Sequence, residues 1–154
     1  MRFLADKTVG KLAKWLRILG YDTVYWCIDD LEAILRRAQE EDRTLITKDA
    51  KLYKGKGSRE ALLIREDNPF RQLRQVVRHF QLAVKQEMLF SRCLACNALL
   101  EARDPEEVKG EVPDYIYQAH REFSRCPTCR KIYWAGTHYG HMTRVVKRLQ
   151  ERQS

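Results

Sequence analysis

TLITKD, residues Thr44–Asp49, is a β-branched and apolar tetrad that passes through one lysine into a carboxylate. The tetrad has the composition of a short buried strand, and the acid at its end asks for a reason. Two other stretches share the pattern. RFLAD carries an apolar strand into Asp6, and TVYWCIDD carries another into Asp29 and Asp30. A fourth strand is read in ALLIRE.

Helical periods lie between these strands. In VGKLAKWLRILG, Val9, Leu12, Ala13, Leu16 and Leu19 keep helical spacing and Gly20 supplies a stop. In DLEAILRRAQEE, Asp30 stands as the cap, and Leu31, Ile34, Leu35 and Ala38 form the inward face. A further helix, capped at Asp67 or Asn68 with Pro69 in its first turn, runs through FRQLRQVVRHFQLAV. This alternation predicts an α/β fold with a mostly parallel sheet flanked by helices. Ligands of such sheets bind outside the carboxyl ends of the strands, where the strand order switches. Asp6, Asp29 or Asp30, and Asp49 would collect at that edge. The basic stretch KLYKGKGSRE (residues 51–60) has no apolar period and reads as a mobile, exposed loop.

Around Met88–Arg92 the pattern changes, which predicts one domain over residues 1–87 and a second over 88–154. Cys93, Cys96, Cys126 and Cys129 form two C-x2-C pairs. That spacing lets both thiolates of a turn reach one ion, and two turns complete a tetrahedral zinc site. An iron–sulfur cluster or redox dithiols are the alternatives. A closed four-thiolate site has no open coordination position, so this metal is expected to hold the fold while the chemistry happens elsewhere. FSRCLAC and FSRCPTC echo each other, which predicts two similar metal-binding turns. The insert VPDYIYQAHREF has helical spacing, and KIYWAGTHYGHM reads as a strand and a turn. His138 and His141 are read as exposed, hydrogen-bonded or phosphate-contacting residues. The last helix carries Arg144, Lys147, Arg148 and Arg152, as a solvated face or as a nucleic-acid contact. Cys27, the fifth cysteine, is read as a small buried apolar residue.

The chain has 154 residues, 44% of them hydrophobic, enough to bury a core. A formal charge of +8 points to an anionic partner, nucleic acid being the commonest. No stretch approaches the roughly 18 apolar residues of a membrane span, and MRFLADKTVGK lacks the features of a signal peptide. The expectation is a cytoplasmic protein with no membrane association.

Carboxylates gathered at one sheet edge repel one another unless a cation lies between them, and hard oxygen donors suit magnesium or manganese. Lys11, Lys14, Arg17, Lys48 and Lys51 would then form a basic funnel for a polyanion. Each aspartate has a second reading: Asp6, Asp30 and Asp49 can each cap a helix or turn. Three such acids at three strand ends weigh toward the metal.

FLADKTVGKLAKWLRILGYDT, LITKDAKL, SRCLACNALLE and SRCPTCRKIYWAGTHY together resemble the Mut-seven C-terminal RNase family, a PIN-like domain fused to a zinc ribbon. The resemblance covers nearly the whole chain. It implies a metal-dependent ribonuclease, with RNA as substrate and a ribbon that aids RNA binding. It places the family's acids on Asp6, on Asp30 with Asp29 beside it, and on Asp49, as ligands of magnesium or manganese, and its zinc ligands on the four paired cysteines. Where that family runs several consecutive acids into its second helix, this chain has DDLEA, a thinner donor set. The other reading is a non-catalytic RNA- or ribosome-binding module on the same scaffold, with a protein partner as a further option.

Overall fold

The computed structural model describes residues 1–55 and 60–152, and the chain divides into two compact units, Met1–Phe90 and Ser91–Ser154. The expected mobile loop falls partly on residues 56–59, outside the described residues.

In the first unit, β1 (Arg2–Asp6) leads through a 3-10 turn (Lys7–Val9) into α1 (Gly10–Ile18). There follow β2 (Asp22–Trp26), α2 (Leu31–Glu40), β3 (Thr44–Thr47), α3 (Ala50–Lys54), β4 (Ala61–Leu63) and α4 (Pro69–His79). The four strands form one parallel sheet in the order β2-β1-β3-β4. In this order the chain moves outward from β1 to β2 and then returns to the other side of β1 for β3. The switch point therefore lies between β1 and β3, where Phe3 pairs with Thr44, Leu4 with Leu45 and Ala5 with Ile46.

Alternation along these strands divides the apolar side chains between the two faces of the sheet. On one face Leu4 and Leu45 pack with Ile34 and Ala38 of α2, Leu52 of α3 and Ala61 of β4. On the other the Phe3 ring meets Phe80, at the end of α4, and Tyr21. There α1 and α4 pack together, burying Leu12, Leu16, Leu73, Val76 and Val77. Side chains this size contribute roughly 1.5–3 kcal/mol each when removed from water. Gly20 ends α1 at φ +92°, where a Cβ would lie 2.4 Å from the Met88 carbonyl oxygen; both the left-handed backbone and the close approach require glycine.

The amino-terminal edge of the sheet is tied by Arg43, whose guanidinium donates to Asp22 Oδ1 (2.7 Å), Glu41 Oε2 (2.6 Å) and the Phe3 carbonyl (3.2 Å). Acids at this edge are thus neutralised by a largely buried arginine. Arg37 donates to Glu41 as well, and these two guanidinium groups hold the Glu41 carboxyl below its ordinary range.

The second unit contains β5 (Glu101–Arg103), α5 (Pro105–Val108), α6 (Asp114–Ala119), β6 (Phe123–Arg125), β7 (Ile132–Trp134) and α7 (Thr137–Glu151). Its strands form an antiparallel sheet in the order β5-β6-β7. Val108, Val112 and Phe123 make a small core with Ile116, Tyr117, Ile132 and Trp134 around it. One expectation is corrected: THYGHM belongs to the first turns of α7, not to a turn after a strand, since Met142 starts the buried stripe completed by Val145, Val146 and Leu149. His138 and His141 are exposed. No helix among the described residues is long and apolar enough to cross a membrane.

Candidate functional site

Asp6 ends β1, the strand beside the switch point, and is 3% exposed. A buried carboxylate needs hydrogen-bond donors, and two threonines supply them. Thr8 donates to Oδ1 from its amide (3.1 Å) and its hydroxyl (2.5 Å), and Thr47 Oγ1 donates to Oδ2 (2.7 Å). Each threonine also accepts from the loop after β3. The Lys48 amide donates to Thr8 Oγ1 (2.9 Å) and the Asp49 amide to Thr47 Oγ1 (2.9 Å). A pair of hydroxyls thus bridges the end of β1 to the backbone of Lys48 and Asp49, closing the switch point with hydrogen bonds. Among the described residues Asp6 has no ion-pair partner, in contrast to Asp22 and Glu41 at the opposite edge.

Asp49 caps α3, its Oδ1 accepting from the Lys51 (2.8 Å) and Leu52 (3.2 Å) amides. Asp30 caps α2 through Oδ1 and the Ala33 amide (3.1 Å). The capping reading of all three aspartates therefore holds. It occupies a single oxygen of Asp30 and of Asp49, leaving Oδ2 of each outside the cap. Asp29 lies at the surface in an ion pair with Lys7, which raises the lysine pKa. Thr47 links the Asp6 carboxylate to the Asp49 backbone amide; no hydrogen bond among the described residues extends that link to Asp29 or Asp30. The four aspartates do not form a group of three or more ligands around one point, whereas the four cysteines do.

The basic residues separate in the same way. Lys11, Lys14 and Lys51 are exposed, and Lys48 forms an ion pair with Asp67 that holds the Asp67 carboxyl below its ordinary value. Arg17 does not reach the surface as a phosphate contact has to. It is 7% exposed and its Nε donates to the Thr23 carbonyl (2.9 Å), joining α1 to β2. The helical stripe that buries Leu12, Ala13 and Leu16 includes it. Cys27 is exposed, correcting its reading as a buried apolar residue. Sequence reasoning also passed over Thr8 and Thr47, and it read Asp67 only as a candidate cap of α4, a place that Asn68 takes. For an ion-pairing role of Asp67 a signal was available: it follows β4 within four residues, as Asp49 follows β3 within two.

In the second unit the ligand sulfurs of Cys93, Cys96, Cys126 and Cys129 all lie within 4.8 Å of one another. Their two turns are built alike. The Cys93 amide donates to the Ala98 carbonyl and the Asn97 amide to the Cys93 carbonyl; the Cys126 amide donates to Lys131 and the Arg130 amide to Cys126. Asn97 and Arg130, each four residues past the first cysteine of its turn, have positive φ angles of 75° and 70°. Burial opposes ionisation of Cys93, but the Tyr133 hydroxyl at 3.1 Å and the backbone amides of Cys96 and Ala95 outweigh it and lower the thiol to about 6. Burial and neighbouring thiols push Cys96 up to about 12. Four sulfurs at this spacing fit a tetrahedral soft metal, and the cluster could hold a zinc ion.

The family model for the Mut7-C RNAse domain matches residues 1–146, nearly the whole chain. The chain belongs to the Mut7-C RNAse domain family. No curated protein and no solved structure matches it. Membership accounts for both units together, since the matched span includes the parallel sheet with its carboxyl-edge acids and all four cysteines. It links the chain to ribonucleases and to RNA.

Proposed function

We propose that the protein is a metal-dependent ribonuclease that hydrolyses RNA phosphodiester bonds at the carboxyl edge of its parallel sheet. The observation that carries this reading is Asp6: a buried carboxylate at the switch point, held by two threonine hydroxyls and, among the described residues, by no ion pair, with the Asp49 amide bonded to one of the same threonines. Burying a carboxylate costs several kcal/mol unless it is compensated, and a helix cap could have been served by an exposed side chain. Chemistry at this position gives the burial a reason.

The donor set fits magnesium or manganese in kind: carboxylate oxygens, with Oδ2 of Asp30 and Asp49 outside their caps. Asp6 and Asp49 would hold such an ion, with Asp30 as the third acid and Asp29 beside it. A cation there supplies Lewis acidity at a phosphoryl oxygen and makes water a stronger nucleophile. In the hydrolysis a water oxygen bonds to phosphorus and the opposite P–O bond breaks, leaving one phosphate monoester end and one hydroxyl end. Thr8 and Thr47 fix the orientation of the Asp6 carboxylate, Thr8 holding Oδ1 and Thr47 holding Oδ2. Lys11, Lys14 and Lys51 supply positive potential on approach, and the cysteine unit, with zinc, adds exposed Arg144, Lys147 and Arg148.

The second reading, an RNA-binding module without cleavage, is favoured by one observation: every acid of the set already has a capping or ion-pair role, and together they form no ligand group. Cleavage of labelled single-stranded and structured RNA by zinc-loaded protein separates the two. Cutting that needs added magnesium or manganese and disappears in folded Asp6→Asn and Asp49→Asn supports the nuclease. RNA binding without cutting in all three proteins supports the module.

A further inference from the structure

The face of α4 turned away from the core carries Arg71, Arg74 and Arg78, spaced by three and four residues so that they share one side of the helix. Arg65, just past the end of β4, joins them. With Glu66, Gln75 and His79 they line a groove of about 710 Å³, within the size range of ligand sites. Among the described residues lining it, four arginines accompany one carboxylate, that of Glu66, which lies 4.0 Å from Arg71.

This groove is built, and is more than a solvated helix face. Gln75 bonds both sides of the peptide chain leaving β4: its Nε2 donates to the Leu63 carbonyl (3.0 Å) and its Oε1 accepts from the Arg65 amide (3.2 Å). Gln72, 5% exposed and one helical step earlier, donates to the Glu66 carbonyl (2.9 Å). Two glutamines thus lock residues 63–66 against α4 and fix the Arg65 backbone beside the helical arginines. Two residues further on, Asp67 pairs with Lys48, which follows Thr47 directly. One end of the groove is therefore continuous along the chain with the sheet edge that holds Asp6 and Asp49.

We infer that this groove binds the phosphodiester backbone of an RNA strand and leads it along α4 toward the carboxyl edge of the sheet. Arginine matches a phosphate through its planar fork of donors, and Arg71 to Arg78 spans about 10 Å at 1.5 Å per residue. That length suits a repeating anion better than a single one. For its ligand class the inference rests on the ribonuclease reading, but binding, and not cleavage, tests it.

The probe is a fluorescein-labelled oligouridylate too short to fold, titrated by anisotropy with full-length, zinc-loaded protein over about 50–300 mM KCl without added divalent metal. Each phosphate contact on a single strand contributes a slope of about −0.7 in log K against log salt, or about fivefold in affinity at 0.1 M. Arg78→Gln is expected to weaken binding about fivefold and Arg71→Gln with Arg78→Gln about 25-fold, with the slope shallower by about 0.7 and 1.4. Arg71→Lys with Arg78→Lys retains most of the slope. Arg36→Gln, an exposed arginine on α2 across the sheet, leaves it unchanged. The three arginines changed here, Arg36, Arg71 and Arg78, are all exposed, and an unchanged urea midpoint confirms each fold. Wild-type affinity and slope in the folded double variant overturn the inference, as does poly-glutamate competing as well as oligouridylate. Loss of binding in these variants alongside a wild-type protein that never cuts RNA refutes the ribonuclease proposal and leaves the groove standing.

Discussion

Replacing Thr47 by valine preserves shape and removes a single hydroxyl, yet that hydroxyl is the bridge at the switch point. It is fully buried, donates to Asp6 Oδ2 at 2.7 Å and accepts from the Asp49 amide at 2.9 Å. A hydrogen bond to a charged acceptor contributes about 1.5–3 kcal/mol, and a buried amide left without its partner adds about 1 kcal/mol or more. Thr47→Val should therefore destabilise the first unit by about 2–4 kcal/mol. For a unit of this size, with a urea slope near 1–1.5 kcal/mol/M, the midpoint falls by about 2 M, read from Trp15 and Trp26 fluorescence. Thr47→Ser keeps the hydroxyl and loses one buried methyl, about 0.8 kcal/mol. The ordering wild type, serine, valine should recur in the cleavage rate, because Asp6 loses its orientation only in the valine variant. A valine variant as stable as the serine variant refutes the bridge.

Arg43→Met removes the guanidinium that Asp22 and Glu41 share, leaving Glu41 its bond from Arg37, and should cost about 2–3 kcal/mol at neutral pH. Because the Glu41 carboxyl is depressed from its ordinary value of 4.5, the stabilisation it provides is present above that value and lost as pH falls through the lowered one. Urea midpoints of wild type and variant should accordingly draw closer as pH falls below the carboxyl's ordinary value of 4.5. Asp49→Ala should lose the cap of α3, about 1 kcal/mol, while Asp49→Asn keeps most of it; both should abolish cleavage, so that urea titration and RNA cutting separate the two roles of one side chain. The chain should take up one zinc through its four cysteines. Because Cys96 is held protonated up to about 12, binding should release protons and tighten with rising pH, as calorimetry in buffers of different ionisation enthalpy will show. Chelation should change Trp134 emission in the second unit while leaving Trp15 and Trp26 unaltered.

The legible part of the fold was the part set by local periodicity. Strand–helix alternation was enough to infer a parallel sheet, and with it that Asp6 and Asp49 share an edge, because parallel strands bring all their carboxyl ends to one side. Caps were legible for the same reason: Asp30, Asp49 and Asn68 each precede a helical period. The paired cysteine turns were visible in their repeated sequence; the like positive φ angles of Asn97 and Arg130 were added by the structure. Contacts between distant segments were not visible. Thr47 looks like any strand residue until β1 lies beside β3, and Arg17 looks like a surface cation until the Thr23 carbonyl is found at its Nε. The α4 arginines had a signal, a spacing of three and four opposite Leu73, Val76 and Val77. The groove is shaped by two glutamines that hold the chain after β4 against that helix, through pairings six to twelve residues apart that no periodicity encodes.

The proposed ribonuclease activity has Asp6 and Asp49 at the place where RNA is cut. Anomalous diffraction at the manganese absorption edge, from crystals of the zinc-loaded protein soaked in manganese, tests that claim most directly. The predicted result is a manganese peak in contact with the Asp6 and Asp49 carboxylates, absent from Asp6→Asn crystals. Manganese-dependent cleavage from a protein whose manganese binds only elsewhere would contradict it.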